Sequence, residues 1–553
     1  MTNMQRYALW CEKVTDAKLR QELKAMQDNP TAIDNAFYQD LAFGTAGLRG
    51  EIGAGTNCLN IYTIAKTTQG IADNMKKHGH KTVAISYDSR INSDVFSVKT
   101  AEVFAANGIK AYLSRECMPV PYLSFLTRAL KADIGVMITA SHNPAKYNGY
   151  KVYGPDGCQL TDARSGEMIS YINQIDPFAV HTGKIEDYIK QGLIAYAPDE
   201  IEKQFLAVVK KQSCGNCESN IRIAYTPLNG AGYRLVPEIF KQIGVTDLHI
   251  VPEQAKPDGR FLTCSYPNPE KAEALKLGLE LSEKVSADIL IATDPDADRM
   301  GIAVKTQNGY RLMSGNETGV LLTDYLFSRR SALGTLPKNP VMVKTIVSTE
   351  LAVRIAADYG AQTFNVLTGF KYIGEIIKGL EVQSQEDRFV FGFEESYGYL
   401  AGSHVRDKDA VVASMLIAEA AAYYKKQGIT LADRIAQLYA QYGTYSHKLI
   451  SKEFPGADGS AKMKKLLADL RAALPQNIGG VSITKSIDYL TQTEFNLPRA
   501  DILSFNLADG CQLIIRPSGT EPLIKMYLTA AKTPAENQKA FARLESFINE
   551  VFT

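Results

Sequence analysis

Three aspartates alternate with small or rigid residues in the stretch DPDADRMG. They are Asp294, Asp296 and Asp298, and they directly follow the apolar run ADILIAT. Because carboxylate oxygens are the ligands that hard cations prefer, three carboxylates this close predict a metal site. An EF-hand calcium loop is excluded, because Arg299 and Lys305 stand where that loop needs a glycine and a bidentate glutamate. A solvated acidic turn, with its charges offset by an arginine, remains the alternative.

A serine stands beside a histidine in the stretch MITASHNPAKYNGYK. Ser141 and His142 lie in a loop rich in alanine, asparagine, proline and glycine, directly after the apolar run ADIGVMI. A serine next to a base can serve as a nucleophile. Serine and asparagine are also common in turns, because their side chains hydrogen-bond to the nearby backbone. From these residues alone both interpretations, a nucleophile and a turn residue, stay open.

A further loop carries polar side chains suited to a sugar. In FGFEESYGYL, Glu394 and Ser396 alternate, so in an extended loop both side chains can point toward adjacent sugar hydroxyls. The alternative is a surface turn in which Glu394 and Glu395 form salt bridges. Upstream, LTGFKYIGE places a cation, Lys371, in a glycine-bearing loop after a strand.

The stretch IIRPSGTEPLIK combines the groups that a phosphate dianion requires. Arg516 supplies a guanidinium, Ser518 and Thr520 supply hydroxyls, and Gly519 gives a flexible backbone that can turn N–H groups inward. The stretch therefore predicts a phosphate site, with an ordinary Pro-Ser-Gly turn as the alternative.

Three parts of the chain share one pattern of strand, helix, glycine and second strand. The glycines are Gly108, Gly244 and Gly360, each after a segment with helical spacing and before an apolar run. The pattern predicts βαβ-type units, and hence three similar α/β domains with buried mixed sheets. In such sheets ligands bind beyond the carboxyl ends of the strands, which is where the serine, aspartate and glutamate loops lie.

From about residue 446 the pattern changes. A strand YSHKLISKEF precedes a helix AKMKKLLADLRAAL, three strands GVSITKSIDYL, ILSFNL and CQLIIRP, and a closing helix. This order predicts a smaller C-terminal α+β domain. The predicted domains are 1–206 with the serine loop, 207–316 with the aspartate loop, 317–445 with the glutamate loop, and 446–553 with the phosphate loop.

Composition and charge narrow the class of partner. The net charge is +1 and the chain has no block of five like charges, which disfavours nucleic acid and anionic membranes and favours a small molecule. The first 26 residues are charged throughout and predict an amphipathic helix rather than a signal peptide, so we expect a cytoplasmic protein. Cys214 and Cys217 form an isolated CxxC, which predicts plain linker thiols more than a zinc or redox site.

The motifs TASHNP, DPDADR, FEES and RPSGTEP occur in this order, one in each predicted domain. Together with FGTAGLRG at residues 43–50 and YDSR at 87–90, the set resembles the α-D-phosphohexomutase superfamily over nearly the whole chain. Within it, the length, GFEESYGYL and VRDKDA are similar to the bacterial-type phosphoglucomutases and the related phosphopentomutases. The resemblance implies four domains around a central active-site cleft, a Mg²⁺ ion and a phosphorylated serine.

The resemblance also implies a role for each motif. Ser141 matches the phosphoserine, Arg49 and His142 lie beside it, and Lys151 matches a general acid/base. The residues that match Mg²⁺ ligands are Ser141, Asp294, Asp296 and Asp298. The residues that match substrate-binding positions are Lys371, which faces the substrate, Glu394 and Ser396 for sugar hydroxyls, and Arg516, Ser518, Gly519 and Thr520 for the distal phosphate.

The implied activity is the interconversion of glucose 1-phosphate and glucose 6-phosphate, with glucose 1,6-bisphosphate as intermediate and activator. Mannose and pentose phosphates stay open as substrates, because Glu394 and Ser396 would address the 3- and 4-hydroxyls, whereas glucose and mannose differ at the 2-hydroxyl. Two functions of a different kind also stay open: a phosphatase that uses an aspartate as nucleophile, and a non-enzymatic sugar-phosphate sensor.

The chain departs from the family pattern at one position. Some phosphomannomutase-type relatives carry a histidine two residues beyond the sugar-loop serine, where this chain has Gly398. If a second proton-transfer group is needed, His404 or Lys408 must supply it, and we include Lys408 among the predicted catalytic residues.

Overall fold

The computed structural model describes residues 1–44, 47–215, 217, 221–454, 456–492, 497–517 and 523–552. Four sheets follow one another along the chain, and each carries one of the four loops singled out above. None of the described helices combines the length and apolar character that a membrane span needs. The expected cytoplasmic location stays a prediction.

The first domain has a six-stranded mixed sheet in the order β1-β5-β4-β2-β3-β6. Strand β2 runs parallel to β3 and β4, whereas β5 is antiparallel to both β4 and β1. Its elements are α1 (Asn3–Lys13), α2 (Ala17–Met26), α3 (Pro30–Phe37), β1 (Leu48–Glu51), α4 (Ile61–Lys77), β2 (Thr82–Tyr87), α5 (Ser93–Ala106), β3 (Lys110–Leu113), α6 (Val120–Ala129), β4 (Ile134–Ile138), β5 (Tyr147–Tyr153), α7 (Asp162–Ile172), α8 (Ile185–Lys190), β6 (Ile194–Tyr196) and α9 (Asp199–Lys210).

The N-terminal segment forms two helices, so the prediction of one continuous helix is wrong. Helix α1 ends at Lys13, and Asp16 begins the next helix by accepting a hydrogen bond from the Leu19 backbone N–H at 2.9 Å. Aspartate is a preferred N-cap residue, because its carboxylate satisfies a backbone donor that the first helical turn leaves free. Trp10 and Phe37 pack edge to face in a separate small core under these helices.

The second domain has a five-stranded sheet in the order β11-β10-β9-β7-β8, and the third has a four-stranded sheet in the order β13-β12-β14-β15. Their elements are β7 (Arg222–Thr226), α10 (Gly232–Gln242), β8 (Asp247–Ile250), a 3₁₀ turn (Pro252–Gln254), α11 (Ala272–Val285), β9 (Ile289–Thr293), β10 (Met300–Thr306), β11 (Gly309–Leu312), α12 (Gly315–Ala332), β12 (Val341–Thr345), α13 (Leu351–Ala357), β13 (Gln362–Val366), α14 (Phe370–Val382), a second 3₁₀ turn (Glu386–Arg388), β14 (Phe389–Glu394), β15 (Gly398–Ala401), α15 (Ala410–Lys426) and α16 (Leu431–Tyr442).

The three predicted βαβ units are confirmed. Strands β2, β7 and β12 are each followed by a helix and then by a parallel neighbour. Gly108, Gly244 and Gly360 follow the three helices with φ values of 72°, 87° and 70°. The predicted class of three α/β domains with mixed sheets is therefore the observed one.

The fourth domain is an antiparallel sheet in the order β16-β21-β20-β19-β18-β17, covered by two helices. Strand β21 was not predicted, although it lies between β16 and β20 and pairs with both. The elements are β16 (Ser446–Glu453), α17 (Gly456–Ala472), β17 (Asn477–Ile478), β18 (Val481–Asp488), β19 (Leu503–Leu507), β20 (Gln512–Pro517), β21 (Leu523–Ala530) and α18 (Pro534–Phe552).

Backbone contacts join the loops of different domains into one site. Arg90 of the first domain forms an isolated bridge with Gly259 of the second, and Arg299 of the second forms one with Gly398 of the third. The Val120 N–H donates to the Asp296 carbonyl at 2.9 Å. The largest apolar core also spans the second and third domains. The serine, aspartate and glutamate loops are thereby fixed relative to one another.

Candidate active site

Ser141 lies at the end of the fully buried strand β4 and is itself only 4% exposed. Its φ of 53° is in the left-handed region, which non-glycine residues rarely adopt outside functional or strained sites. The hydroxyl donates to Asp294 Oδ2 at 3.0 Å and lies 3.2 Å from His142 Nδ1. The loop therefore presents the serine oxygen to a carboxylate of the second domain.

Arg90 holds the backbone of the serine loop in place. Its guanidinium donates to the carbonyls of Ser141 at 2.6 Å, Pro144 at 3.0 Å and Tyr147 at 2.9 Å. Asp88 lies 3.4 Å from this guanidinium, and burial raises the pKa of the Asp88 carboxyl to about 6. The sequence motif YDSR indicated the family, but it did not reveal that Arg90 fixes the loop.

The three aspartates converge as predicted. One carboxylate oxygen from each of Asp294, Asp296 and Asp298 lies within 4.8 Å of the others, and all three side chains are buried. The alternative of a solvated acidic turn is therefore wrong. Burial, together with the charges of the other two aspartates, raises the pKa of Asp294 well above its usual value.

The donor set of this cluster fits a hard divalent cation. The buried atoms Oδ1 of Asp296 and Oδ1 of Asp298 have no hydrogen-bond partner among the described residues. Buried carboxylate oxygens are costly without a partner, and a cation supplies one to several of them at once. Asp294, Asp296, Asp298 and the hydroxyl of Ser141 are the groups that would hold it.

Two lysines approach the same aspartates from different domains. Lys151 Nζ on β5 lies 3.0 Å from Asp296 Oδ2, and Lys408 Nζ lies 3.1 Å from Asp298 Oδ2. Burial alone would lower the pKa of both ammonium groups, but the neighbouring carboxylates outweigh it and raise both. The carboxylates therefore favour the ammonium form of both lysines.

The described contacts of His404 lie outside this cluster. Its Nε2 lies 2.8 Å from Asp409 Oδ2, and the other oxygen of Asp409 accepts the backbone N–H groups of Val411 and Val412 at the start of α15. His404 thus belongs to a helix cap. Of the two candidates for a second proton-transfer group, the structure brings only Lys408 to the aspartates among the residues that it describes.

Gly398 leaves room for Lys408. A Cβ atom built on Gly398 would overlap the Cδ and Cγ atoms of the Lys408 side chain. The position where some relatives carry a histidine is therefore occupied here by the aliphatic stem of a lysine from the next loop. The glycine at position 398, where the chain departs from the family pattern, and Lys408 are therefore linked, because the missing side chain makes room for the lysine.

Glu394 ends strand β14 and is 5% exposed, so the alternative of a surface salt bridge is wrong. Its Oε1 accepts the Gly369 N–H at 2.7 Å. Ser396 is half-buried in the turn that follows, and Lys371 is half-buried at the start of α14 with Nζ 5.1 Å from the Tyr372 ring centroid. Burial raises the pKa of the neighbouring Glu395 carboxyl to about 7, and the charge of Glu394 adds to this effect.

The surroundings of His142 disfavour the protonated ring. Burial, Arg299 and Arg49 each disfavour the imidazolium, so the pKa of His142 lies well below its usual value. Arg49 is an exposed residue of β1, opposite Gly149 of β5. The Tyr266 ring contacts the His142 ring edge to face, with centroids 5.7 Å apart.

The fourth domain contributes two cations on neighbouring strands. Arg516 on β20 is directly opposite Lys525 on β21, and both are half-buried. Burial and the charge of Arg516 lower the pKa of Lys525. The sequence analysis missed Lys525, although it lies in the same stretch as Arg516. Ser518, Gly519 and Thr520 lie outside the described residues.

Cys214 and Cys217 are buried in the large core, and burial raises the pKa of both thiols. Thiols with raised pKa values are poor nucleophiles and poor metal ligands. This environment supports the interpretation as unreactive thiols.

A buried serine hydroxyl that contacts a carboxylate cluster able to hold a cation, with two ammonium groups beside it, is the arrangement typical of a phosphoryl-transfer enzyme. The chain belongs to the phosphoglucomutase/phosphomannomutase family. The family models for the α/β/α domains I, II and III match residues 40–178, 202–309 and 314–442.

Similar proteins support this family, and solved structures share the fold. A phosphoglucomutase of Staphylococcus epidermidis is 36% identical over 502 residues, which cover 88% of this chain and 90% of that protein. The open form of the Paramecium phosphoglucomutase parafusin has a TM-score of 0.71 at 17% identity and covers 93% of this chain and 95% of that chain. The Aspergillus fumigatus N-acetylphosphoglucosamine mutase, solved with GlcNAc-6P and magnesium, has a TM-score of 0.53 at 16% identity and covers 98% of this chain and 100% of that chain. The two structures show the fold alone.

Proposed function

We propose that this phosphohexomutase interconverts glucose 1-phosphate and glucose 6-phosphate through a phosphoserine at Ser141 and a glucose 1,6-bisphosphate intermediate. The observation that carries the proposal is the 3.0 Å contact between the Ser141 hydroxyl and Asp294, which belongs to the cation-binding cluster. A hydroxyl placed there can exchange a phosphoryl group whose charge a cation held by the cluster would offset.

The proposed cation is Mg²⁺, held by Asp294, Asp296, Asp298 and the serine oxygen. When bound it would neutralise charge on the phosphoryl oxygens. The magnesium with which the Aspergillus mutase was solved and the all-oxygen donor set of this chain support the choice.

Each half-reaction breaks one phosphorus–oxygen bond and forms another, and one proton moves from the accepting hydroxyl to the departing oxygen. In the first half-reaction the phosphoryl group leaves Ser141 Oγ for a sugar hydroxyl, and in the second the other phosphate of the reoriented bisphosphate returns to Ser141. Lys151 and Lys408 are the proposed carriers of the proton, because both side chains lie beside the same aspartates. The ammonium group gives a proton to the departing oxygen, and the amine so formed takes the proton of the accepting hydroxyl. Arg90 and His142 keep the serine loop in place.

The sugar is selected by the third domain. Glu394 and Ser396 are the proposed ligands of the sugar hydroxyls, Lys371 also faces the substrate, and glucose is preferred on the strength of the phosphoglucomutase relatives. The test is kcat/KM for glucose, mannose, ribose and deoxyribose 1-phosphates with a bisphosphate activator present. We expect the highest value for glucose 1-phosphate, and a higher value for any other sugar would reassign the substrate.

Arg516→Ala tests the proposed clamp on the phosphate that is not being transferred. That contact exists in ground and transition states alike, so its loss should mainly raise KM. A charge-assisted hydrogen bond contributes about 1.5–3 kcal/mol, which corresponds to about a tenfold to hundredfold loss in kcat/KM. A weaker clamp should also release bisphosphate more often, so the variant should need more added activator. Steady-state kinetics across a bisphosphate titration measure both effects, and unchanged KM and activator dependence would mean that RPSGTEP is an ordinary turn.

Gly398→Ala tests the space reserved for Lys408. The added methyl group would overlap the lysine stem, so the ammonium group must move. We expect kcat to fall at least about tenfold with little change in KM, because small displacements of a reacting group are costly. The matched control is Gly379→Ala in α14 of the same domain, where an added Cβ meets nothing within 4 Å. Equal kcat values for the two variants would show that Lys408 has no positional role.

A further inference from the structure

Lys408 is a long side chain that needs support to hold one position. A lysine has four rotatable side-chain bonds and a point charge, so its ammonium group is easily misplaced. In this structure Asp407 contacts both the backbone and the ammonium group of Lys408. Asp407 Oδ1 accepts the Lys408 backbone N–H at 2.8 Å and the Lys408 ammonium group at 3.0 Å. Asp407 is only 4% exposed, so these are contacts in a poorly solvated environment.

Tyr153 fixes the carboxylate in turn. Its hydroxyl donates to Asp407 Oδ2 at 3.0 Å, and its side chain is fully buried. Burial and the charge of Asp407 raise the pKa of the Tyr153 phenol well above its usual value, so the phenol remains a donor. Both oxygens of Asp407 are therefore engaged, one by Tyr153 and one by Lys408.

Tyr153 and Lys151 stand two residues apart on strand β5, so their side chains point to the same face of the sheet. Lys151 contacts Asp296 directly, whereas Tyr153 contacts the lysine of the third domain through Asp407. Strand β5 thus carries one ammonium group of the site and contacts the carboxylate that holds the other.

We propose that Tyr153 and Asp407 are positioning residues that set the place of the Lys408 ammonium group, so that β5 aligns both proton carriers of the reaction. The inference rests on the proposed function, because it assumes that Lys408 takes part in phosphoryl transfer. Tyr153 lies outside the motifs singled out in the sequence, and Asp407 lies in VRDKDA, where the sequence assigned it no role.

The first test compares two buried tyrosines of the same strand. Tyr153→Phe removes the hydroxyl that holds Asp407. Tyr150→Phe removes an equally buried hydroxyl that lies 3.3 Å from Thr68 Oγ1. We expect Tyr153→Phe to lower kcat about tenfold with KM changed less than about twofold, because the lysine loses its alignment but the substrate keeps its contacts. Tyr150→Phe should leave both constants unchanged, and thermal melting of both variants verifies folding.

The second test asks whether Tyr153 acts through Lys408. Lys408→Met should lower kcat by about 10²–10⁴, the usual contribution of a positioned acid or base. In that background Tyr153→Phe should cost nothing further, and Asp407→Asn should behave in the same way. The same fractional loss in both backgrounds, or no loss from Tyr153→Phe in the wild type, would overturn the positioning role. Wild-type kcat in Lys408→Met would instead refute the role of Lys408 in the proposed function, and the inference with it.

Discussion

Ser141→Ala is expected to abolish mutase turnover, with a loss of at least about 10⁴-fold in kcat, because it removes the hydroxyl proposed to carry the phosphoryl group. The substitution removes one hydroxyl and its contacts to Asp294 and His142. The backbone of the loop is held independently by the Arg90 guanidinium, so the fold should survive. The measurement is conversion of glucose 1-phosphate to glucose 6-phosphate, together with a melting curve.

The matched control is Ser97→Ala in α5 of the same domain. Ser97 is also buried, and its hydroxyl donates only to the Asp94 carbonyl at 2.7 Å among the described contacts. This variant should keep full activity at a comparable small cost in stability, about 1 kcal/mol. A folded Ser141→Ala protein with substantial turnover would exclude the phosphoserine mechanism.

Removal of divalent metal by a chelator should stop catalysis, and Asp296→Asn should lower activity at least about a hundredfold at ordinary Mg²⁺ concentrations. The side chain is fully buried, and the substitution removes one of three anionic ligands from the proposed Mg²⁺ site. Raised Mg²⁺ should restore part of the activity, because the defect is in affinity.

Asp199→Asn is the control for this substitution. The Asp199 side chain is 84% exposed at the start of α9, so loss of its charge should leave the Mg²⁺ dependence unchanged. Full activity of the wild type in thorough chelator would contradict a metal-dependent mechanism and leave the aspartate cluster with a structural role.

The features that the sequence predicted well are local. The alternation of apolar runs, helical spacing and helix-ending glycines identified three βαβ units, because these signals depend on near neighbours in the chain. Strand ends then located the serine and aspartate loops, since the carboxyl ends of strands collect at one edge of a sheet. The aspartate spacing alone predicted the observed carboxylate cluster.

The features that the sequence did not predict depend on distant parts of the chain. The contact between Tyr153 and Asp407 joins residues 254 positions apart, and no local pattern at either residue indicates it. The choice between His404 and Lys408 was open for the same reason. The choice depends on the space that Gly398 leaves for the Lys408 side chain and on the Asp409 cap of α15. Both are defined only when the third domain is folded.

Two features that were predicted wrongly or not at all do have a local signal in the sequence. The break between the first two helices has a readable signal in the N-cap residue Asp16. In strand β21, with the stretch LIKMYLTA, Lys525 lies on the face opposite Ile524, Met526 and Leu528, and this alternation is typical of a half-buried strand. The domain boundaries and the individual roles of the site residues stay predictions.

The most direct test of the phosphoserine mechanism follows a labelled phosphoryl group. The enzyme is incubated with glucose 1,6-bisphosphate labelled in both phosphates, freed of ligand, and digested for mass spectrometry. We predict one phosphoryl group per chain, located on Ser141, and its transfer to both glucose 1-phosphate and glucose 6-phosphate with return of labelled bisphosphate. Label on an aspartate of the cluster, or release of the label as free phosphate without transfer to sugar, would contradict this mechanism.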